Sequence, residues 1–495
     1  MKLLRISTFA LAALVLPVTA GAATCAQVLA ALEGVLVGAT CSVSTDLTTN
    51  NPATTPQNNS IQGLPGFAFT PQTDRNVISP NPPNRTPITK VVPGLQISGY
   101  FADDPTGQAR FLVRLPDDWN GNLVVAGASG TRSEFNGDFS WSDYVVQKGY
   151  AYASQNKGVL NFQVASFASL NPPTGDSCRL NPPSQVWVSF YDDAPAKPFT
   201  QWTQYIIDAA QAARLAVKGA YNHYPTRTYA VGTSNGGYQV RRAMEMAPDL
   251  FDGGVDWEGT FIDPNGPNIL IDLPPAISNF PAYVGSGFDP TSQAAQNIMA
   301  AGYPPDIITG ANSLWAFYWA QFWEVTQCQW QKRFDPTWQT YFDGPNDITG
   351  TGGYDYSRRA ALDSSIFAQV GAVATTGKIK KPLITVAGTM DALLPIQRGA
   401  RAYEAVVNAS RQGNNQQRAA QYRLYEIQNG NHIETFKDTF AQLEFIQPHA
   451  QKAFDLLVAQ VEDNAPLPPS QCVPRGGAIA DAPSQPGHCA MLFVP

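Results

Sequence analysis

The sequence predicts an α/β architecture: a mostly parallel sheet with helices on both faces. Three observations predict it. Short runs dominated by apolar residues recur at 122–127, 149–154, 228–232, 382–387 and 421–427, the pattern of strands covered on both faces. Helical patterns lie between them. A glycine-rich turn, Gly232-Thr233-Ser234-Asn235-Gly236-Gly237, joins the strand-like Tyr229-Ala230-Val231 directly to the helical Tyr238-Gln239-Val240-Arg241-Arg242-Ala243-Met244.

Composition agrees. Of 495 residues 44% are hydrophobic, enough for a large core, so the chain is not disordered throughout. Its 40 glycines and 40 prolines follow no triplet period, which excludes a collagen-like chain. A net charge of −7 and the lack of a long Lys/Arg run argue against nucleic acid as a partner. Beyond the N-terminus no apolar run approaches the roughly 20 residues of a membrane span.

Residues 1–23 read as a secretory leader. Lys2 and Arg5 precede the apolar stretch 9–18, and the small residues Ala20-Gly21-Ala22-Ala23 follow. A lipid anchor on Cys25 is disfavoured by Thr24 before it. Residues 24–93 form an arm whose part from 43 onward, rich in Thr, Asn and Pro, lacks apolar periodicity. A first core segment, 94–260, opens with half-buried strands at 95–100 and 110–115 and continues through the buried strands. Thr200 is the expected N-cap of a helix carrying Trp202, Ile206, Ala209, Ala210, Ala213 and Ala216 at helical spacing.

Residues 261–375 break the alternation and read as a large Trp-rich cap. Trp315, Trp319 and Trp323 stand at i, i+4 and i+8, which places them along one side of a helix, as a packing anchor, as a wall for substrate, or as both. The core resumes at 376–461, with Pro395 opening a helix through Ile396, Ala400, Tyr403 and Val407. A proline-rich tail, 462–495, follows. Six cysteines remain after the leader. An even count in an exported chain suggests disulfides, and the short spacings favour Cys25 with Cys41 and Cys472 with Cys489, leaving Cys178 with Cys328. Metal binding would want CxxC pairs or spaced histidines, and neither occurs; no metal and no cofactor are expected.

The turn at 232–236 is G-x-S-x-G between strand and helix, the context of a nucleophile elbow with Ser234 at its tip. A serine needs a base. His223 lies in a turn before the strand, His449 in a helical pattern and His488 in the tail. His432 follows a strand-like run in a glycine-containing loop, where open α/β sheets place reactive groups, and is the expected base. Asp391, in the loop after 382–387, is the expected acid, with Asp256 and Asp263 in reserve. The order Ser234, Asp391, His432 is that of the α/β-hydrolases. Oxyanion donors are expected from the N–H of Asn235 and from the loop Gly127-Ala128-Ser129-Gly130, where Ala128 or Ser129 is favoured over Gly130.

The span 95–460 thus resembles an α/β-hydrolase with an insertion. More narrowly it is similar to the exported tannase and feruloyl esterase family in Gly149-Tyr150-Ala151, Gly219-Ala220-Tyr221, Ser234-Asn235-Gly236-Gly237, Phe251-Asp252-Gly253-Gly254, the arm and the large lid. That family usually joins cysteines before the nucleophile and the histidine; here Thr233 and Asn431 occupy those positions. Its lid often binds calcium, and the nearest acidic group here, Asp343, Asp347 and Asp355, matches no calcium loop. Hydrolases of polyhydroxyalkanoate chains or oligomers are a comparable neighbour. The resemblance implies an exported serine hydrolase of carboxylic esters, small or oligomeric. An amidase or peptidase on the same fold, or a non-catalytic binding protein, are the alternatives.

Overall fold

In the computed structural model the described residues are 23–54, 86–130, 133–159, 163–166, 177–179, 187–189, 199–338, 353–412 and 421–495. Nearly all of the expected leader, the middle of the arm, Asp343 and Asp347 lie outside them. The architecture is an α/β-hydrolase fold. Ten strands form one sheet: β1 (Leu36–Ser44), β2 (Gly94–Phe101), β3 (Arg110–Pro116), β4 (Asn122–Gly127), β5 (Ala151–Gln155), β6 (Arg227–Thr233), β7 (Gly253–Trp257), β8 (Leu383–Gly388), β9 (Tyr422–Ile427) and β10 (Gln471–Val473). Their spatial order is β1-β2-β3-β5-β4-β6-β7-β8-β9-β10. The first three strands and the β3–β5 pair run antiparallel, and every pair from β5–β4 onward is parallel.

The central strands are apolar because both faces are covered. In β4, Leu123 and Val125 join the core packed by the alanine-rich helix Thr200–Tyr221, while Val124 and Ala126 face Phe454 and Leu457 of the helix Gln447–Asp463. A third apolar cluster forms the cap, centred on Ile269–Gly285 and on the stretch from Leu314 to Phe334. No helix among the described residues is long and apolar enough to cross a membrane.

Several elements differ from expectation. The arm supplies β1 and the tail supplies β10, so both ends of the described chain extend the sheet. Disulfides Cys25–Cys41 and Cys472–Cys489 fasten those ends. Cys178–Cys328 bridges 150 residues, joining the helix Glu324–Phe334 to a small sheet of Gln163–Ser166, Cys178–Arg179 and Trp187–Ser189 that sequence patterning had left within the core. Thr200 is the first helical residue rather than the cap. The cap is Phe199, held at φ 56°, with its ring packed 4.1 Å from Trp202 and 4.7 Å from Trp330. Aromatic packing there overrides the hydrogen-bonding preference of an N-cap. The helix expected from Pro395 starts at Ala400, after a turn in which Arg398 and Gly399 donate to the Pro395 carbonyl.

Candidate active site

The site forms where β6, β7, β8 and β9 end side by side. After β6 the chain reverses at Ser234, whose φ of 57° and ψ of −122° are unusual for a residue with a side chain. Glycines make the reversal possible. A Cβ on Gly232 would lie 2.4 Å from the Gly236 carbonyl oxygen, and one on Gly236 would lie 2.5 Å from that of Gly127. The helix Asn235–Met246 therefore starts in backbone contact with β4 and β6, and the Ser234 hydroxyl stands at the crest.

The loops after β8 and β9 bring up the two other groups. Thr389 donates its N–H to the Ile427 carbonyl, and Met390 donates to that of Gly430. A Cβ on Gly388 would fall 2.3 Å from the Gly430 oxygen, so the loops can meet only through bare backbone. His432 is thereby placed with Nε2 3.0 Å from Ser234 Oγ and Nδ1 2.8 Å from Asp391 Oδ2. Asp391 is buried, and its Oδ1 accepts the N–H groups of Leu393 at 2.8 Å and Leu394 at 2.7 Å. Those bonds fix the carboxylate so that Oδ2 faces the ring. A serine, imidazole and carboxylate in this relay can pass the serine proton to Nε2 while the carboxylate steadies the resulting cation.

The reserve acids are committed elsewhere. Buried Asp256 pairs with Arg241 at 2.5 Å and accepts from Thr385 and Gly259. Asp263 accepts the Asn265 N–H in a turn. His223 and His488 are exposed, the latter paired with Glu404, and His449 lies on the helix Gln447–Asp463.

Four features of the site escaped sequence reasoning. The first is Glu258, one residue past β7. It is buried, its Oε1 accepts the Gly388 N–H at 3.0 Å, and its Oε2 lies 3.6 Å from His432 Nδ1. Burial above all, and then the Asp391 charge, push its carboxyl up to about 8. Its signal was its position at a strand's C-terminal end, the same rule that singled out His432.

The second is Asn431, at the position of the absent cysteine. Its amide donates to the Met390 carbonyl at 2.6 Å and accepts from Tyr318 Oη at 2.9 Å and from the Ile433 N–H at 3.1 Å. Hydrogen bonds therefore link the His loop to the acid loop and to the cap. The third concerns the oxyanion loop. Asn235, as the first helical residue, has no intrahelical carbonyl for its N–H. Ala128 N–H, however, donates to Gln239 Oε1 at 3.0 Å, and Ser129 N–H to Asn136 Oδ1 at 2.8 Å. Both favoured second donors are thus engaged, through buried amides that no local pattern announces. Lys157 holds the carbonyls of the same two residues at 2.7 and 3.2 Å.

The fourth is the tryptophan stripe. Leu314–Tyr318 is α-helical, Trp319–Trp323 forms a π-helical turn, and Glu324–Phe334 is α-helical again. The wider turn changes the angular step between residues. Trp315 and Trp323 are 1% and 0% exposed, too enclosed to present a wall to solvent-borne substrate. Trp323 Nε1 instead donates to the Ala392 carbonyl at 2.7 Å, bracing the acid loop. Trp319 is half-buried and stacks on Phe280.

Comparison with known proteins adds two similarities. A family model described as 3HB-oligomer hydrolase matches residues 349–488, a span that carries Asp391 and His432. The D-(-)-3-hydroxybutyrate oligomer hydrolase of Burkholderia thailandensis is 37% identical over 126 residues, 24% of this chain and 17% of that protein. Its namesake from Burkholderia pseudomallei is 36% identical over 132 residues, 25% and 18% of the two chains. The matched stretch spans less than a fifth of the length of these curated relatives. Among solved structures, an esterase from Aspergillus oryzae is similar at a TM-score of 0.50 and 12% identity, over 89% of this chain and 90% of that one. At that identity the likeness is one of fold.

Proposed function

We propose that the protein is an exported serine hydrolase of carboxylic esters, and that its substrates are oligomers of short hydroxyalkanoates. The relay from Asp391 Oδ2 through His432 to Ser234 Oγ, at 2.8 and 3.0 Å, is the single observation that supports the chemistry most strongly. In this reading Ser234 attacks the ester carbonyl while His432 takes its proton. The N–H of Asn235, at the positive end of its helix, helps to hold the oxyanion. His432 returns the proton to the departing alcohol, and water, activated by the same imidazole, releases the acid from the acyl-enzyme.

The substrate class is supported by the oligomer-hydrolase family model, whose match covers acid and base, and by the similarity to a hydroxybutyrate oligomer hydrolase. A galloyl or feruloyl substrate has less support: the cysteine pair is absent, and two of the three tryptophans offered for an aromatic group are enclosed. Export is supported by the leader pattern at 1–23 and by three disulfides.

The test is hydrolysis of 3-hydroxybutyrate dimer and trimer, with methyl gallate, methyl ferulate and an anilide of butyrate alongside. Wild type should cleave the hydroxybutyrate esters fastest, and Ser234→Ala should lose on the order of 10⁴-fold or more in kcat. Equal turnover by Ser234→Ala would end the serine reading. Faster cleavage of the aromatic esters would end the substrate assignment alone.

A further inference from the structure

Ser234 and Glu258 are neighbours by construction. Thr233 pairs with Trp257 at the ends of the parallel strands β6 and β7, so the next residue on each strand stands at the same level of the sheet. Both next residues are left-handed, Ser234 at φ 57° and Glu258 at φ 52°. A non-glycine residue persists in that conformation only where its surroundings dictate it. For Glu258 they do: its N–H donates to the Val386 carbonyl, and its Oε1 accepts from the Gly388 N–H. The carboxyl is thus clamped at the end of β8, with Oε2 turned toward His432 Nδ1 at 3.6 Å. That oxygen is buried without a hydrogen-bond partner. Such an atom at a reactive centre calls for an account.

We propose that Glu258 is a second, switchable carboxyl behind His432: a positioning residue that joins Asp391 in stabilising the imidazolium once it ionises, and that takes over as the ring's anion when the Asp391 carboxylate is removed by substitution. This inference rests on the serine-hydrolase reading and deepens it.

The groups that face Glu258 set its behaviour. Asp391 opposes a second charge beside it; His432 favours that charge when protonated; Glu434, in the 3-10 turn Glu434–Asp438, opposes it. Tyr318 faces the same carboxyls from the cap, and its hydroxyl is held far above its ordinary range, so it brings no further charge. With burial, these keep Glu258 protonated through neutral pH and release its proton near pH 8. Below that pH Asp391 alone orients the ring. Above it a second anion lies 3.6 Å from the same nitrogen, in surroundings where charges are weakly screened. The proton leaves to solvent, and no bond to substrate is involved. An Asp391→Asn exchange removes the charge that opposes Glu258, which favours ionisation of the remaining carboxyl.

The experiment compares wild type, Asp391→Asn, Glu258→Gln, the double variant and Ser234→Ala on p-nitrophenyl butyrate from pH 6 to 10. Labelling by a fluorophosphonate serves as a readout independent of substrate. Asp391→Asn should keep a residual kcat that climbs about tenfold or more on the acid side of pH 8, because loss of the opposing charge lets Glu258 ionise at lower pH than in wild type, and the double variant should lose that climb and a further tenfold at pH 9. Glu258→Gln alone should lower kcat more at pH 9 than at pH 6, with KM unmoved. It retains the acceptor for Gly388, so a thermal melt can verify folding, and its pH profile tests the idea even if the Asp391 variants fold poorly. Should the double variant match Asp391→Asn at every pH, or Glu258→Gln reproduce the wild-type profile, the second-carboxyl role is overturned. If Ser234→Ala is silent in the same assays, that failure leaves the serine reading standing; if Ser234→Ala retains wild-type activity, the reading itself has failed.

Discussion

Asn431 illustrates how one buried amide can tie the His loop to both the acid loop and the cap. Its side chain reaches Met390 in the acid loop and Tyr318 in the cap, while its backbone carries His432 as the next residue. Asn431→Ala removes the acceptor of the Tyr318 hydroxyl and the donor to the Met390 carbonyl, both buried, at a cost of about 1–3 kcal/mol for a buried group left unsatisfied. The variant should therefore unfold at lower urea concentration than wild type, and its kcat should fall because the His loop loses its tie to Asp391's loop. An Asn431→Ala protein with an unchanged midpoint and kcat would show that the loop is held by Gly388 and Gly430 alone. Ser234, Asp391 and His432 were legible because each follows a strand-like run and sits among glycines, signals that survive in one dimension. Glu258, Gln239 and Asn431 were not. A buried polar residue is defined by partners distant in the chain, such as Gln239 to Ala128 across 111 positions, and nothing local separates it from a solvated one.

The elbow helix and β4 depend on each other through bare backbone. A Cβ at Gly236 would stand 2.5 Å from the Gly127 oxygen, a spacing that real side chains do not adopt, whereas one at Gly285, near the end of a cap helix, would meet nothing within 4 Å. Gly236→Ala should then lower Tm sharply and abolish turnover, because the helix must back away from the sheet and carry Ser234 with it. Gly285→Ala should be neutral or slightly stabilising, since alanine restricts the unfolded chain. If the two variants melt together, the tight contact at the elbow has been misjudged. The same contrast explains which elements sequence patterning caught. The central strands bury both faces and so read as continuous apolar runs. β1 is exposed along most of its length, leaving no alternation to read, and β10 has three residues. The π-turn at Trp319–Trp323 is invisible to a helical wheel because it changes the step that the wheel assumes.

Across the molecule the buried acids dictate how stability depends on pH. Burial pushes Glu258 and Glu434 up to about 8 and Asp143 up to about 7, whereas in an unfolded chain such groups titrate near 4. Between those limits the folded protein holds protons that the unfolded chain has released, so stability must fall as pH rises, by at most about 1.4 kcal/mol per pH unit for each group. His449 works the other way. Burial depresses its pKa below 6.5, so at lower pH the unfolded chain takes up a proton that the folded one refuses, and stability gains as pH rises toward 6.5. Above that value the histidine contributes nothing further, and the acids act alone. Scanning calorimetry at constant ionic strength should accordingly find Tm lower at pH 8 than at pH 6.5, with the decline shallower in Glu258→Gln and Glu434→Gln. A Tm that holds or rises over that interval would mean these carboxyls are ionised in the folded state. Glu258 would then already be charged beside His432 at neutral pH, and the relay would run with two anions from the start.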